Sequence, residues 1–229
     1  MPFLIFDQTF FLLIPAIILA LWAQSRVKRT FEKYSRIEAG SGMSGLEVAR
    51  RLLNDGGLAD IQIEESKGNL SDHYDPRSRV LRLSAGTSKS RSVAALGIAA
   101  HEVGHAIQHQ KAYAAFQIRQ TIVPVANIGS SLAFPIFFIG FLFSQNTFLM
   151  DLGIYLFLGA VVFQLITLPV EFNASSRALA LLSSRGYLAG QEVDQAKKVL
   201  NAAALTYVAA TAVAVMHLLR LILLRGSRN

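Results

Sequence analysis

Four apolar runs decide what this chain can fold into. They extend from Phe3 to Ala23, Ile122 to Phe143, Phe148 to Val170 and Ala202 to Leu224, and each is near the roughly 20 residues a helix needs to cross a bilayer core. Only a helix satisfies all its backbone groups within one such segment in hydrocarbon, so four membrane helices are expected. The composition agrees, with 52% hydrophobic and 16% charged residues. The first run is long, no Lys or Arg precedes it and no small-x-small cleavage site follows, so it reads as a retained anchor rather than a removed signal.

The cations suggest an orientation. Most of the 22 Lys and Arg fall between Arg26 and Arg119, whereas the tail before the first run and the loop from Ser144 to Asp151 have none. The positive-inside rule then puts residues 24–121 in the cytoplasm of a multi-pass plasma-membrane protein, with the N-terminus and the short loop outside. Arg26, Lys28, Arg29, Lys33 and Arg36 lie directly against a span, where they suit anionic lipid heads better than nucleic acid. The absence of cysteine fits a reducing compartment and suits either side of the membrane. The last run carries His217 and Arg220 and ends in Arg225 and Arg228. It is read as a fourth crossing, the alternative being a helix that lies along or dips into the membrane.

Between the first two runs stands His101-Glu102-Val103-Gly104-His105. On a helix, positions i and i+4 share one face, so both imidazoles can meet one zinc ion. Glu102, beside them, is placed to take a proton from a water that the metal acidifies. Ser92 reads as the N-cap of this helix, and the small and apolar residues after it suit a packed interior. Ordinary core histidines are the bland alternative, but two histidines and a glutamate buried together without a metal are costly.

A catalytic zinc takes a third protein ligand. His109 follows His105 by four residues, which does not match the glycine turn and later histidine of the longer HExxHxxGxxH motif. It reads as the exposed end of the helix or a group behind the ligands. Glu171, emerging from an apolar run at the head of a new helix, is the better candidate, because a lone carboxylate there calls for a cation. The alternative is a glutamate favoured by the helix dipole. Spans two and three form a hairpin that returns Glu171 to the level of the HExxH helix, which leads into span two near Thr121.

Elsewhere, Ser44 to Asn54 reads as an amphipathic helix with a Ser44/Glu47 capping box, ended by Gly56-Gly57. Ile61 to Glu64 and Arg79 to Ser84 alternate as strands do, joined by a polar turn from Asn69 to Arg77. A small antiparallel sheet is expected beside the HExxH helix, with an edge strand able to pair with an extended peptide. His73, between Asp72 and Asp75, fits a solvated turn better than a catalytic role. Residues 171–201 read as two helices broken between Gly186 and Gly190, the second with Glu-to-Lys spacings on a solvated face.

The segments around His101 to Gln108, Val123 to Ser130 and Pro169 to Ser175, with Leu70 to Pro76 and Leu205 to Ala210, resemble the YugP-like family of bacterial membrane zinc metallopeptidases. They are similar, more distantly, to the HtpX and Ste24 type of gluzincins. The resemblance implies a zinc-dependent endopeptidase with His101, His105 and Glu171 as ligands and Glu102 as base. It implies no defined substrate. Asn173 stands where relatives are expected to carry an Asp; an amide there could still accept a hydrogen bond from a ligand histidine, with less charge support.

The expected fold is mainly α-helical and membrane-integral, with a small cytosolic α+β part holding the HExxH helix and a short antiparallel sheet. Its divisions are an anchor at 1–23, a cytosolic part at 24–121, a membrane hairpin at 122–170, helices carrying the third ligand at 171–201, and a last span at 202–229. Protein or peptide substrates and the lipid bilayer are the expected partners, nucleic acid is not, and Arg177, Tyr113 and His73 are candidates to stabilise an oxyanion. The competing reading is a metal-binding scaffold that recruits partners without cutting them. A small transporter is disfavoured because the spans carry so few ionisable groups.

Overall fold

The computed structural model describes residues 8–68, 70–144 and 147–227. The start of the first apolar run at Phe3, Asn69 of the polar stretch, the middle of the loop from Ser144 to Thr147, and Arg228 lie outside the described residues. A short 3-10 turn, Gln8–Leu12, leads into α1 (Leu13–Tyr34), followed by α2 (Gly45–Asp55), β1 (Gln62–Ser66), β2 (His73–Asp75) and β3 (Val80–Ser84). Then come α3 (Ala85–Ser88), α4 (Val93–Gln110), α5 (Ala114–Ile139) with a π turn at Gly140–Ser144, α6 (Thr147–Ser184) and α7 (Gln191–Gly226). Four stretches, Gln8–Tyr34, Ala114–Phe143, Thr147–Ser184 and Gln191–Gly226, are long and apolar enough to cross a membrane. The chain divides into two compact units.

The apolar unit comprises Met1–Gln24, Gln117–Pro169 and Leu205–Asn229. Its core packs Ala133, Phe137 and Phe141 of the α5 stretch against Met150, Phe157 and Val161 of α6 and Leu221 and Leu224 of α7. A Cβ on Gly153 would lie 2.8 Å from the Ala133 carbonyl oxygen, the close backbone approach that small residues permit between apolar helices. At the far end of α7, Arg225 grips Asp151 through both nitrogens, Nε to Oδ1 at 2.9 Å and Nη2 to Oδ2 at 3.2 Å. Arg220 donates to the Thr9 hydroxyl at 3.3 Å. The last helix therefore runs the length of this unit, and a carboxylate meets the arginine that the charge rule found out of place.

The second unit comprises Ser25–Phe116 and Val170–Ala204. Ser44 caps α2 with Glu47 answering in a full capping box, and Val48, Ala49, Leu52 and Leu53 are buried on its inner face. The sheet is mixed, in the order β1-β3-β2, with β1 parallel and β2 antiparallel to β3. This corrects the expected antiparallel sheet. His73–Asp75, read as turn, is a strand, so the chain reverses twice between β1 and β3 and the two run the same way. The turn is only Pro76 to Arg79. There the Asp75 carboxylate accepts from the Ser78 hydroxyl at 2.7 Å and the Arg77 N–H at 2.9 Å. These bonds, the Ser78 hydroxyl foremost, hold its carboxyl down at about 2.

Two further expectations change. The HExxH helix does not run on into span two: α4 ends at Gln110, and α5 begins at Ala114 after a kink in which Ala112 has φ 49°. Glu171 does not head a new helix; it lies inside α6. Pro169 removes one N–H from the ladder, yet Val170, Ala174, Ala178 and Leu182, each 0% exposed, bury an i, i+4 stripe that carries the helix through. A helix-start account of its charge therefore falls.

That stripe passes α4 at Gly104, where an added Cβ would lie 2.7 Å from the Ala174 carbonyl oxygen. Gly104→Val should force α4 and α6 apart and cost about 1–3 kcal/mol, read as a lower thermal unfolding midpoint of the detergent-solubilised chain.

Candidate metal centre

The α4 helix starts where Ser92 accepts from the Ala95 N–H. Its first turns are lined by Ala94, Ala95, Ala99 and Ala100, all buried. Small side chains let neighbours close in, and Glu102, His105 and Gln108, which follow, are buried. His101 and His105, one turn apart, stand edge to face with ring centroids 4.7 Å apart and planes at 86°. Glu171 of α6 completes a group whose three donor atoms lie within 4.8 Å of one another. Glu171 is 2% and His105 7% exposed.

The spacing fits a metal of tetrahedral preference. Glu171 Oε2 lies 3.3 Å from His101 Nε2 and 3.5 Å from His105 Nε2. Donors held tetrahedrally at 2.0 to 2.1 Å from zinc are about 3.3–3.4 Å apart. The set of two imidazoles and a carboxylate is also one that zinc takes when a fourth position stays open.

Hydrogen bonds behind the ligands fix the rings. Gln108, fully buried, donates from Nε2 to the Val170 carbonyl at 2.8 Å and to Asn173 Oδ1 at 3.0 Å. A main-chain carbonyl only accepts, so this end of the amide is its nitrogen, and its oxygen faces His105 Nδ1 at 2.9 Å. The His105 proton therefore sits on Nδ1. In the neutral ring, Nε2 then turns a lone pair toward a carboxylate oxygen, an arrangement that is repulsive unless a proton or metal cation lies between them. Burial pushes the His105 imidazole down, but the Glu171 hydrogen bond and charge, the charge of Glu102 and the Gln108 amide together raise it above the usual value. His101 Nδ1 is met by the Ser175 hydroxyl at 3.1 Å.

Glu102, 8% exposed, is held differently. Its Oε2 accepts the Tyr74 main-chain N–H at 3.0 Å. Tyr74 pairs with Leu81 across β2 and β3, so this N–H is one that strand β2 turns away from the sheet. β2, an edge strand of the sheet, thus holds the carboxylate with its central donor. The Tyr74 hydroxyl also bonds His109 Nδ1 at 2.9 Å, tying β2 to α4 twice.

The structure brings together His101, His105 and Glu171, with Glu102 anchored alongside, and sorts the remaining candidates. His109 is outside the donor cluster. His73, on β2, turns Nδ1 to the Ser71 carbonyl at 2.8 Å. Asn173 touches neither histidine among the described bonds; it accepts from Gln108 and, at 2.7 Å, from Arg177 Nε. Arg177 is thereby engaged on an amide, and for Tyr113 the described bonds show only its main-chain N–H on Gln108 O. Sequence reasoning gave no role to Gln108, Ser175 or the Tyr74 N–H. Helical spacing could have found the first two, three residues after His105 and four after Glu171, once α6 is known to be continuous.

Residues 9–226 match the family described as "Putative neutral zinc metallopeptidase". The chain belongs to that family. It is also 51% identical, over 93% of its own length and 95% of the relative's, to "Putative membrane protease YugP" of Bacillus subtilis (strain 168). No solved structure matches it. Membership agrees with the donor set of two histidines and a glutamate at zinc-like spacing.

Because Gln108 fixes the proton of His105, Gln108→Leu should lower zinc affinity by about 10–100-fold, measured by competition with a chromophoric chelator.

Proposed function

We propose that the chain is an integral membrane zinc endopeptidase of the gluzincin kind, with His101, His105 and Glu171 as ligands and Glu102 as general base. The convergence of those three donors on one point, 3.3 and 3.5 Å apart across Glu171, carries the reading. Zinc bound there supplies Lewis-acid chemistry, polarising a scissile carbonyl and making water a nucleophile near neutral pH.

The chain's own groups do the rest. Glu102, with Oε2 taken by the Tyr74 N–H, keeps Oε1 to accept a proton from the attacking water and to return it to the leaving amine. Gln108 and Ser175 hold the two imidazoles with Nε2 turned inward. Gln108 also joins α4 to α6 through Val170 and Asn173, so the ligands from two helices keep one geometry.

The proposed setting is the plasma membrane, the site facing the cytoplasm. The basic cluster Arg26 to Arg36 after the first apolar helix supports it, as does the pairing of Arg225 with Asp151, which gives the arginine at the end of the last span a counter-charge. Substrates are then proteins or peptides presented at that membrane face.

Glu102→Gln should keep full zinc content by metal analysis while cleavage of a reporter membrane protein falls by about 10²–10⁴-fold. His101→Ala should lose zinc and cleavage together. Cleavage that survives Glu102→Gln while His101→Ala abolishes function would instead identify a metal-dependent scaffold.

A further inference from the structure

The apolar unit contains a cavity of about 470 Å³ to which all four of its helices contribute. Its walls are mostly alanine and phenylalanine, Phe134 and Phe157 among them; Ser130 of α5 also lines it, its hydroxyl donating to the Asn127 main-chain carbonyl at 3.1 Å, and three further neutral polar side chains reach it: Asn127 of α5, Gln164 of α6 and His217 of α7. Among the described residues none of the three side chains has a hydrogen-bond partner, and His217 Nδ1 is a buried atom without one. The His217 ring is instead held edge-on by Phe134, centroids 5.6 Å apart at 84°, and by Phe157 at 6.3 Å.

Three polar side chains from three helices line one pocket without protein partners, Gln164 and His217 half-buried and Asn127 exposed at its mouth, and in lipid such groups carry a desolvation cost that a complementary ligand removes. No Asp, Glu, Lys or Arg lines the cavity, so an ionised headgroup would find no counter-charge. The pocket is partly open at the exposed Asn127, so a lipid can enter it from the side. It suits the head and upper chain of a small amphiphile.

We propose that this cavity is a binding site for an uncharged, lipid-soluble amphiphile whose carbonyl or hydroxyl oxygens hydrogen-bond Asn127, Gln164 and His217 while its apolar body lies against Phe134 and Phe157. The proposal rests on the bundle lying in lipid, and resistance of the chain to alkaline carbonate extraction from membranes reports that separately.

The test is photolabelling of the full chain in phosphatidylcholine nanodiscs by a diazirine-bearing diacylglycerol, mapped by mass spectrometry. Label should concentrate within residues 126–134, 157–164 or 210–217 and fall at least about fivefold with excess dioleoylglycerol, but not with excess phosphatidylglycerol. His217→Leu and the double change Asn127→Leu with Gln164→Leu should each remove that competed label. In both, Gly-free apolar replacement of unpartnered polar groups should leave the unfolding midpoint in detergent equal or higher, which shows that the variants are folded. Label spread evenly over the lipid-facing helices, label unchanged in folded variants, equal competition by phosphatidylglycerol, or competition only by a transmembrane peptide with a central asparagine would each overturn the proposal.

Discussion

The Gln108 amide is the point on which the candidate centre depends. It is wholly buried, and its two donor hydrogens are claimed by a main-chain carbonyl and a side-chain oxygen of α6. Those partners leave its oxygen one role, to accept from His105. One residue thus sets a tautomer, aims a ring and joins two helices. In a low-dielectric interior such a knot is strong when complete and costly when any strand of it is missing. Ser175 and the Tyr74 N–H play lesser parts of the same kind, each giving one group of the centre a fixed partner.

Much of this was readable in the sequence because it is written in local spacing. The capping box at Ser44, the Ser92 cap, and the i, i+4 histidines depend on residues within one or two turns, and all stand as expected. The apolar runs are legible for a similar reason, since length and composition alone mark a helix able to cross a membrane. What failed depended on partners distant in the chain. The direction of β1 against β3 turned on whether three residues, His73 to Asp75, pair with β3. Glu171 is expected to head a new helix because a carboxylate leaves an apolar run there, whereas the buried stripe Val170, Ala174, Ala178 and Leu182 that carries α6 through is visible only in the packing.

The role expected of Asn173 shows the same limit. The family resemblance implies an Asp there that could orient a ligand histidine, a bond the amide could also accept. In the fold it stands one bond further back, between Gln108 and Arg177, and Ser175, on the face of α6 that looks at α4, takes the histidine instead. An amide serves in that position because what is needed there is an acceptor for two donors, and a full charge is not required.

The order of the donors along the chain has its own consequence. His101 and His105 precede residues 117–169, and Glu171 follows them. A nascent chain that has just made the two histidines holds a two-donor site with weak hold on a metal. The third donor arrives only after the intervening apolar hairpin has been synthesised, and Gln108 lacks Val170 and Asn173 until the same moment. Firm hold on a metal is therefore withheld until the apolar hairpin and the segment after it have been made, so the centre is completed by the same stretch of chain that brings the two helices together.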